Sequence, residues 1–196
     1  MTRRQIALAA LGTLMAAILI GSAAAHQARL AAGRDILVNS QAVDPRALLT
    51  GHFARLALQP AAIDAPAAAT SALKPNAHAF VTLEPAGAPG DWRATAISLE
   101  RPQTAAGAIV VAVRVTSVMP QESSTGGMAR VDFAWGPDRI YLDQTEALAV
   151  EEAARRTVDA PTGAAPRVRA ILSLADDGGT LIKGVEIDGR RIETRW

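Results

Sequence analysis

The chain has 196 residues, which fits one globular domain, or a small domain with an anchor, and is short for two full domains. Twenty basic and nineteen acidic residues leave a net charge of +1, and this near balance argues against a nucleic-acid-binding protein, which needs a clustered basic face. Cysteine is absent, which excludes disulfide scaffolds, zinc–thiolate sites, cysteine-ligated iron–sulfur clusters and cysteine nucleophiles.

The N-terminal region contains the clearest physical signal in the sequence. Residues 6–25 carry no charged side chain, and Arg3 and Arg4 precede them. About twenty apolar residues, rising about 1.5 Å each, cross a hydrocarbon core roughly 30 Å thick. We therefore predict a single transmembrane signal anchor over residues 1–28. The positive-inside rule places the two arginines in the cytoplasm and the body, residues 29–196, on the other side of the membrane.

A second interpretation of the same region is a cleaved signal peptide. Ala23, Ala24 and Ala25 precede His26 and have the small-x-small form of a signal-peptidase site. Cleavage after Ala25 would release a secreted chain that begins at His26. The apolar run is at the long end for a signal peptide, which favours the uncleaved anchor, and both interpretations export the body.

The body has the pattern of a mainly β (β-rich α+β) domain. Short runs rich in β-branched residues, each ending at proline, glycine or a polar turn, predict strands. These runs cover residues 36–38, 52–58, 77–84, 92–99, 108–118, 129–135, 167–174, 180–187 and 190–195. The run over residues 109–116 is the strongest, and we expect it near the centre of a sheet. Residues 60–75 are rich in alanine and proline and are predicted to form a loop and not a helix.

One short helix is predicted in this body. Asp143 and Glu146 have the spacing of an N-cap and its capping partner, and residues 145–156 contain good helix formers. Further along the chain, Asp188 and Gly189 form a strong two-residue hairpin signal between the last two strands. A meander of strands therefore closes the predicted domain.

The stretch over residues 44–58 resembles the signature of the bacterial GDYXXLXY proteins. In that family a DPRDLxxG lead runs into Gly-Asp-Tyr-x-x-Leu-x-Tyr. The positions that agree are Asp44, Pro45, Arg46, Leu48, Gly51 and Leu56. The positions that differ are Ala47 and His52, where the family has aspartate, and Phe53 and Leu58, where it has tyrosine. The order of elements is also similar, with a membrane segment shortly before the motif and a β-rich body after it.

The resemblance implies a single-pass protein of the bacterial inner membrane, with its N-terminus inside and its body in the periplasm. Members of the family have no established reaction and tend to accompany polytopic membrane proteins. A polytopic membrane protein is therefore the implied partner. The motif residues would have structural or partner-binding roles, and they are Asp44, Pro45, Arg46, Gly51, His52, Phe53, Leu56 and Leu58.

The sequence offers few groups for reaction chemistry. His26, His52 and His78 occur in no metal-ligand spacing, and the chain has no glycine-rich phosphate loop and no Gly-x-Ser-x-Gly elbow. We therefore predict no catalytic residue, no bound metal and no cofactor. Ser117, three residues before Pro120, is faintly similar to the serine of membrane-anchored signal peptidases, but we interpret it as the end of a central strand before a proline stop.

These features favour a membrane-anchored extracytoplasmic interaction or accessory module, which docks on an integral membrane protein and binds no nucleic acid. Two alternatives stay open. An exported, hydrolase-like enzyme would need His52, Asp44 and Arg46 to converge in one pocket. A released periplasmic ligand-binding protein would need cleavage after Ala25 and a large apolar cavity.

Overall fold

Strands make up most of the regular structure. The computed structural model describes residues 2–42, 53–121, 127–158 and 168–194. The mainly β fold class expected from the sequence is confirmed. The elements of the described residues are α1 (Arg3–Ala32), β1 (Arg34–Ala42), β2 (Phe53–Leu58), β3 (Ala62–Pro66), α2 (Ala67–Thr70), β4 (His78–Pro85), β5 (Trp92–Ser98), β6 (Ile109–Pro120), β7 (Met128–Trp135), β8 (Arg139–Tyr141), α3 (Gln144–Val158), β9 (Val168–Leu174), β10 (Thr180–Ile187) and β11 (Arg190–Glu193).

Helix α1 is long enough and apolar enough to span a membrane, as the sequence predicts. It begins with a capping box: the Thr2 hydroxyl accepts a hydrogen bond from the Gln5 main-chain N–H, and the Gln5 side chain accepts one from the Thr2 N–H. Its large apolar side chains point away from the body; Leu8 is 62% exposed and Leu19 is 69% exposed. Such a continuous apolar surface is stable in lipid and costly in water.

The body consists of two antiparallel sheets. One has six strands in the order β11-β10-β9-β1-β2-β8, and the other has five strands in the order β3-β7-β6-β4-β5. The strongest predicted strand, β6, lies at the centre of the second sheet, as expected. Side chains on the inner faces of both sheets form one hydrophobic core, and Val38 and Val111 are fully buried in it. The two sheets therefore make a single folded unit around this core.

Helix α3 closes one side of the core. Asp143 caps it, because its carboxylate accepts a hydrogen bond of 2.8 Å from the Glu146 N–H, as predicted from their spacing. Ala147, Val150 and Ala153 are buried, and their separation by three residues places them on one face of the helix. The closing meander of β9, β10 and β11 also forms as predicted.

One expectation about the body is wrong. Residues 60–75 were expected to form a loop without a helix, but they contain strand β3 and the single turn α2. Strand β3 pairs with β7, and Ile63 lies opposite Val131 in the core. The alternation was hidden in the sequence because Ile63 is the only large apolar residue of the strand, and two of its five positions are small alanines. Pro66 is tolerated here because β3 is the edge strand of its sheet.

Candidate functional site

The end of α1 is joined firmly to the body. Leu30, in the last turn of the helix, is only 6% exposed. The Ser173 hydroxyl, on β9, donates a hydrogen bond of 2.9 Å to the main-chain carbonyl of Leu30. The turn that joins β9 to β10 adds an ion pair, in which the Asp177 carboxylate lies 3.1 Å from the Arg29 guanidinium. We call these contacts the α1 junction.

The contacts of the α1 junction contribute unequally to the stability of the fold. The last four carbonyls of a helix have no partner within the helix, so the Ser173 hydroxyl satisfies a group that burial would otherwise penalise. The ion pair is exposed on both sides and contributes little, at most about 1 kcal/mol. Gly33 follows directly, and a Cβ added to it would stand 2.1 Å from the Ser173 Oγ. The junction therefore requires glycine for reasons of space.

The second half of the GDYXXLXY-like motif is strand β2, between β1 and β8 in the six-stranded sheet. Leu56 and Leu58 are each 4% exposed and pack in the core. The backbone of Phe53 pairs with that of Tyr141 on β8. The other predicted motif residues lie outside the described residues, and they are Asp44, Pro45, Arg46, Gly51 and His52.

A cleft of about 770 Å³ lies beside β2. It forms where β7 leaves its neighbour β6: β7 ends at Trp135, opposite Val113, and the chain then turns away through residues 136–138. The carbonyl of Gly178 takes the free edge, accepting a hydrogen bond of 2.8 Å from the Ala112 N–H. Because the cleft lies at this strand edge, residues from both faces of β6 line it. We call it the β2 cleft.

Cationic groups predominate among the charged residues that line the β2 cleft. Its one lining carboxylate, Asp138, accepts a hydrogen bond of 3.0 Å from the Arg55 Nε. His78 and Arg114 lie directly opposite each other on β4 and β6. Within the part of the chain that the structure describes, neither of their side chains has a hydrogen-bond or ion-pair partner. Arg114 therefore leaves a positive charge at the cleft that no described carboxylate neutralises.

Thr180, at the start of β10, is a buried polar residue in the wall of the β2 cleft. It is 9% exposed, and its hydroxyl makes no hydrogen bond to any described residue. A buried hydroxyl without a partner typically costs about 1–3 kcal/mol. The protein therefore keeps a destabilising group at this position.

A polar cluster surrounds Ser117, but it lacks the geometry of a nucleophile and its base. The Ser117 hydroxyl donates a hydrogen bond of 2.7 Å to Asp132, which also lies 3.1 Å from the Arg130 Nε. The bond from Ser117 holds the pKa of Asp132 below its ordinary value; desolvation opposes this shift, and Arg130 reinforces it. Lys183, one of the two lysines of the chain, pairs instead with Asp35 at 3.1 Å. Ser117 thus acts as a structural donor.

The acidic and histidine side chains of the described residues are spread over the fold. In residues 2–42, 53–121, 127–158 and 168–194, no three histidine, aspartate or glutamate side chains come together as a metal site would require. The residues that sequence reasoning missed are Arg114, Thr180 and Ser173. Arg114 and Thr180 are polar residues within strands, but the sequence contains no sign of which distant residues they would meet.

The fold and its N-terminal helix define the class: a mainly β body attached to a helix that is long and apolar enough to span a membrane. The family model described as GDYXXLXY protein matches residues 15–185, from the middle of α1 to β10. The chain therefore belongs to the GDYXXLXY family, and the resemblance seen at residues 44–58 is confirmed. Neither the curated proteins nor the solved structures contain a match.

Proposed function

We propose that this protein is an interaction module anchored in the bacterial inner membrane, with its body in the periplasm, and that it docks on an integral membrane protein. The observation that carries the proposal is the α1 junction. A flexible linker would let a body sample many heights and orientations above a membrane. Here α1 continues to Ala32 and β1 begins at Arg34, and this short connection would hold the body at one height and orientation. Such a body can present one surface repeatedly to a neighbouring membrane protein.

An uncleaved anchor agrees best with the local structure at the alternative cleavage site. Ala23, Ala24 and Ala25 lie inside α1, several residues before it ends. Proteases generally bind their substrates in extended form, so cleavage here would first require the helix to unwind. The proposed orientation is supported by Arg3 and Arg4, which precede the apolar run and favour the cytoplasmic side.

The faces of α1 indicate how a partner helix would approach. At about 100° per residue, one arc of about 80° contains only small residues over residues 7–25, with Ile6 at its N-terminal end, and the opposite side contains large ones. The small face consists of Ala10, Thr13, Ala17, Gly21 and Ala24. The large face contains Leu8, Leu11, Met15 and Leu19. Small residues let helix backbones approach closely in lipid, so we assign the partner to the small face of α1.

The proposal is tested by purifying the full chain, tagged at its C-terminus, from membranes in a mild detergent. Mass spectrometry would then identify both the co-purifying proteins and the protein's own N-terminus. We expect an intact N-terminus and a stoichiometric polytopic membrane protein. A soluble chain that begins at His26 and has no such partner would contradict the proposal and favour a released binding protein.

A further inference from the structure

The β2 cleft has an uncompensated cationic side. Three of its lining side chains are basic, and they are Arg55, His78 and Arg114. Asp138 is engaged by Arg55 and also lies 3.7 Å from the Arg139 Nε, so it is unavailable to neutralise Arg114. Cross-strand neighbours such as His78 and Arg114 have Cβ atoms about 5 Å apart. A single anionic group can therefore accept hydrogen bonds from both side chains.

The opposite wall of the same cleft is apolar. Phe133 and Trp135 line it and are almost fully buried, as are Leu56 and Leu58 from β2. The indole N–H of Trp135 already donates a hydrogen bond of 2.9 Å to the Pro60 carbonyl, so its polar group is satisfied by the protein. The ring system is thus left to make apolar contacts.

The size of the cleft and the residue Thr180 both point to a ligand. A volume of about 770 Å³ lies within the range typical of small-molecule sites, and aromatic walls with a few polar groups are their usual lining. The Thr180 hydroxyl is a buried polar group that the described residues leave without a partner. Proteins generally satisfy such groups. The oxygen is covered in this conformation, so a ligand in the cleft would reach it only after a small shift of the wall.

We propose that the β2 cleft binds an amphiphilic anion, with its carboxylate or phosphate beside Arg114 and His78 and its apolar part along Phe133 and Trp135. The inference is independent of the membrane partner proposed above, because it rests on the lining of the cleft alone. Arg114 and His78 are exposed to solvent, so an anionic group would add charge-assisted hydrogen bonds there that a purely apolar ligand cannot make. A small inorganic anion would make no contact with the apolar wall.

The ligand has two possible sources, a membrane lipid or a soluble metabolite. Thr180 follows Asp177 by three residues in the turn between β9 and β10, so the two residues are separated by at most about 10 Å. Asp177 itself contacts Arg29, one turn beyond the apolar part of α1. The cleft therefore lies close to the surface of any bilayer that α1 spans, where both anionic lipids and soluble amphiphiles can reach it.

The test uses the full chain in nanodiscs of phosphatidylcholine, a lipid without net charge. The probe is 8-bromooctanoate, whose bromine quenches tryptophan fluorescence on contact. The chain has three tryptophans, so a Trp135→Phe variant identifies the part of the quenching that comes from Trp135. Variant Arg114→Gln removes the free charge. Variant Arg93→Gln is the matched control, because Arg93 is exposed on β5 in the same sheet and does not line the cleft.

We expect quenching to saturate at the same probe concentration in the wild type and in R93Q. In R114Q the midpoint rises about tenfold or more, the usual effect of losing a hydrogen bond to a charged group. The neutral probe 8-bromooctan-1-ol should bind about tenfold more weakly than 8-bromooctanoate for the same reason. Equal midpoints in R114Q and R93Q, equal binding of the alcohol, or competition by acetate as effective as that by octanoate would overturn the proposal.

Two arms of the experiment distinguish the sources. In nanodiscs that contain phosphatidylglycerol, a lipid ligand would occupy the cleft and raise the probe midpoint of the wild type but not that of R114Q. A soluble ligand would leave the difference between wild type and R114Q unchanged. His78→Gln and Thr180→Val extend the series, and weaker probe binding is expected in both, because each removes one predicted contact.

Discussion

The Ser173 hydroxyl donates a hydrogen bond of 2.9 Å to the main-chain carbonyl of Leu30, although 143 residues separate them in the chain. This bond joins the last turn of α1 to a central strand of the six-stranded sheet. It satisfies the Leu30 carbonyl, which lies in the last turn of α1 and has no hydrogen-bond donor within the helix. The bond thereby couples the candidate membrane helix to the body.

The α1 junction can be tested by a double-mutant cycle. Gly33→Ala should destabilise the protein by about 1–3 kcal/mol, because its new Cβ would collide with the Ser173 Oγ. Ser173→Ala should cost about 1 kcal/mol, because the Leu30 carbonyl loses its donor. The double variant G33A/S173A should cost less than the sum of the two, because the colliding atom is gone.

The measurement for this cycle is thermal unfolding of the full chain in detergent. Hydrogen exchange at residues 30–34 would locate the change, and we expect faster exchange there in both single variants. Additive effects of the two substitutions would show that Gly33 and Ser173 do not interact, and would remove the main support for a fixed junction.

The second prediction concerns the β9–β10 hairpin, which lines the β2 cleft and docks on β6. Gly178 and Gly189 both have a φ of 84°, so alanine at either position should cost roughly 1–2 kcal/mol of backbone strain. A Cβ on Gly178 would also stand 3.2 Å from the Ala112 nitrogen, whereas one on Gly189 would meet nothing within 4 Å. Gly178→Ala should therefore lower the Tm more than its matched control Gly189→Ala. Equal losses would indicate that the hairpin does not dock on β6.

A substitution of Thr180 is predicted to stabilise the protein, unlike the substitutions above. Thr180→Val keeps the shape of the side chain and removes the hydroxyl that has no partner among the described residues. The variant should be more stable than the wild type by about 1 kcal/mol, because no buried polar group is left unsatisfied. In thermal unfolding of the ligand-free full chain, the Tm should rise by about 2–4 °C. A lower Tm would mean that the hydroxyl has a partner in the folded protein.

The bond between Ser117 and Asp132 predicts a pH dependence. The pKa of Asp132 is lowered in the folded protein, so its stabilisation is complete above the ordinary aspartate value of about 3.9 and is lost as the pH falls through the lower folded-state pKa. Ser117→Ala should therefore raise that pKa and lower the Tm at pH 7, and the Tm difference should shrink below about pH 4.

Ser71→Ala is the control for this pH dependence. The Ser71 hydroxyl donates to the main-chain carbonyl of Ala68, which does not titrate, so its effect on the Tm should not vary with pH. An NMR titration of Asp132 in the wild type and S117A would measure the shift directly. An unchanged Asp132 pKa in S117A would show that the hydroxyl is not the main cause.

Local patterns predicted much of the fold. Strand β6 has large β-branched residues in an unbroken run, and helix α3 has a recognisable start at Asp143, so both were found from the sequence. Strand β3 was missed, because its alanines weaken the apolar alternation and its pairing with β7 supplies the missing information. Local signals thus work where side chains are large or capping residues are present.

The candidate site was much less predictable. His78 and Arg114 become neighbours only through the register of β4 and β6, which no short sequence window contains. The same holds for Leu30 and Ser173 at the α1 junction. The family motif, in contrast, was recognisable by its spacing, and its strand β2 lines one wall of the cleft. The motif therefore indicated the region of the candidate site, but it did not identify the side chains that line the rest of the cleft.

The most direct test of the anchored-module account compares wild type, Gly21→Leu and Gly12→Leu. The two glycines lie on opposite sides of α1, and a Cβ at either would meet nothing within 4 Å of the protein itself. Both variants should therefore fold and insert normally. Gly21 belongs to the small face of α1 and Gly12 does not, so only Gly21→Leu should keep a partner helix away.

The measurement is the amount of polytopic membrane protein that co-purifies with each tagged full chain from detergent-solubilised membranes. We expect an intact N-terminus in all three chains, a stoichiometric partner with the wild type and G12L, and a loss of about tenfold or more with G21L. A wild-type chain that begins at His26 and co-purifies with no membrane protein would contradict the account.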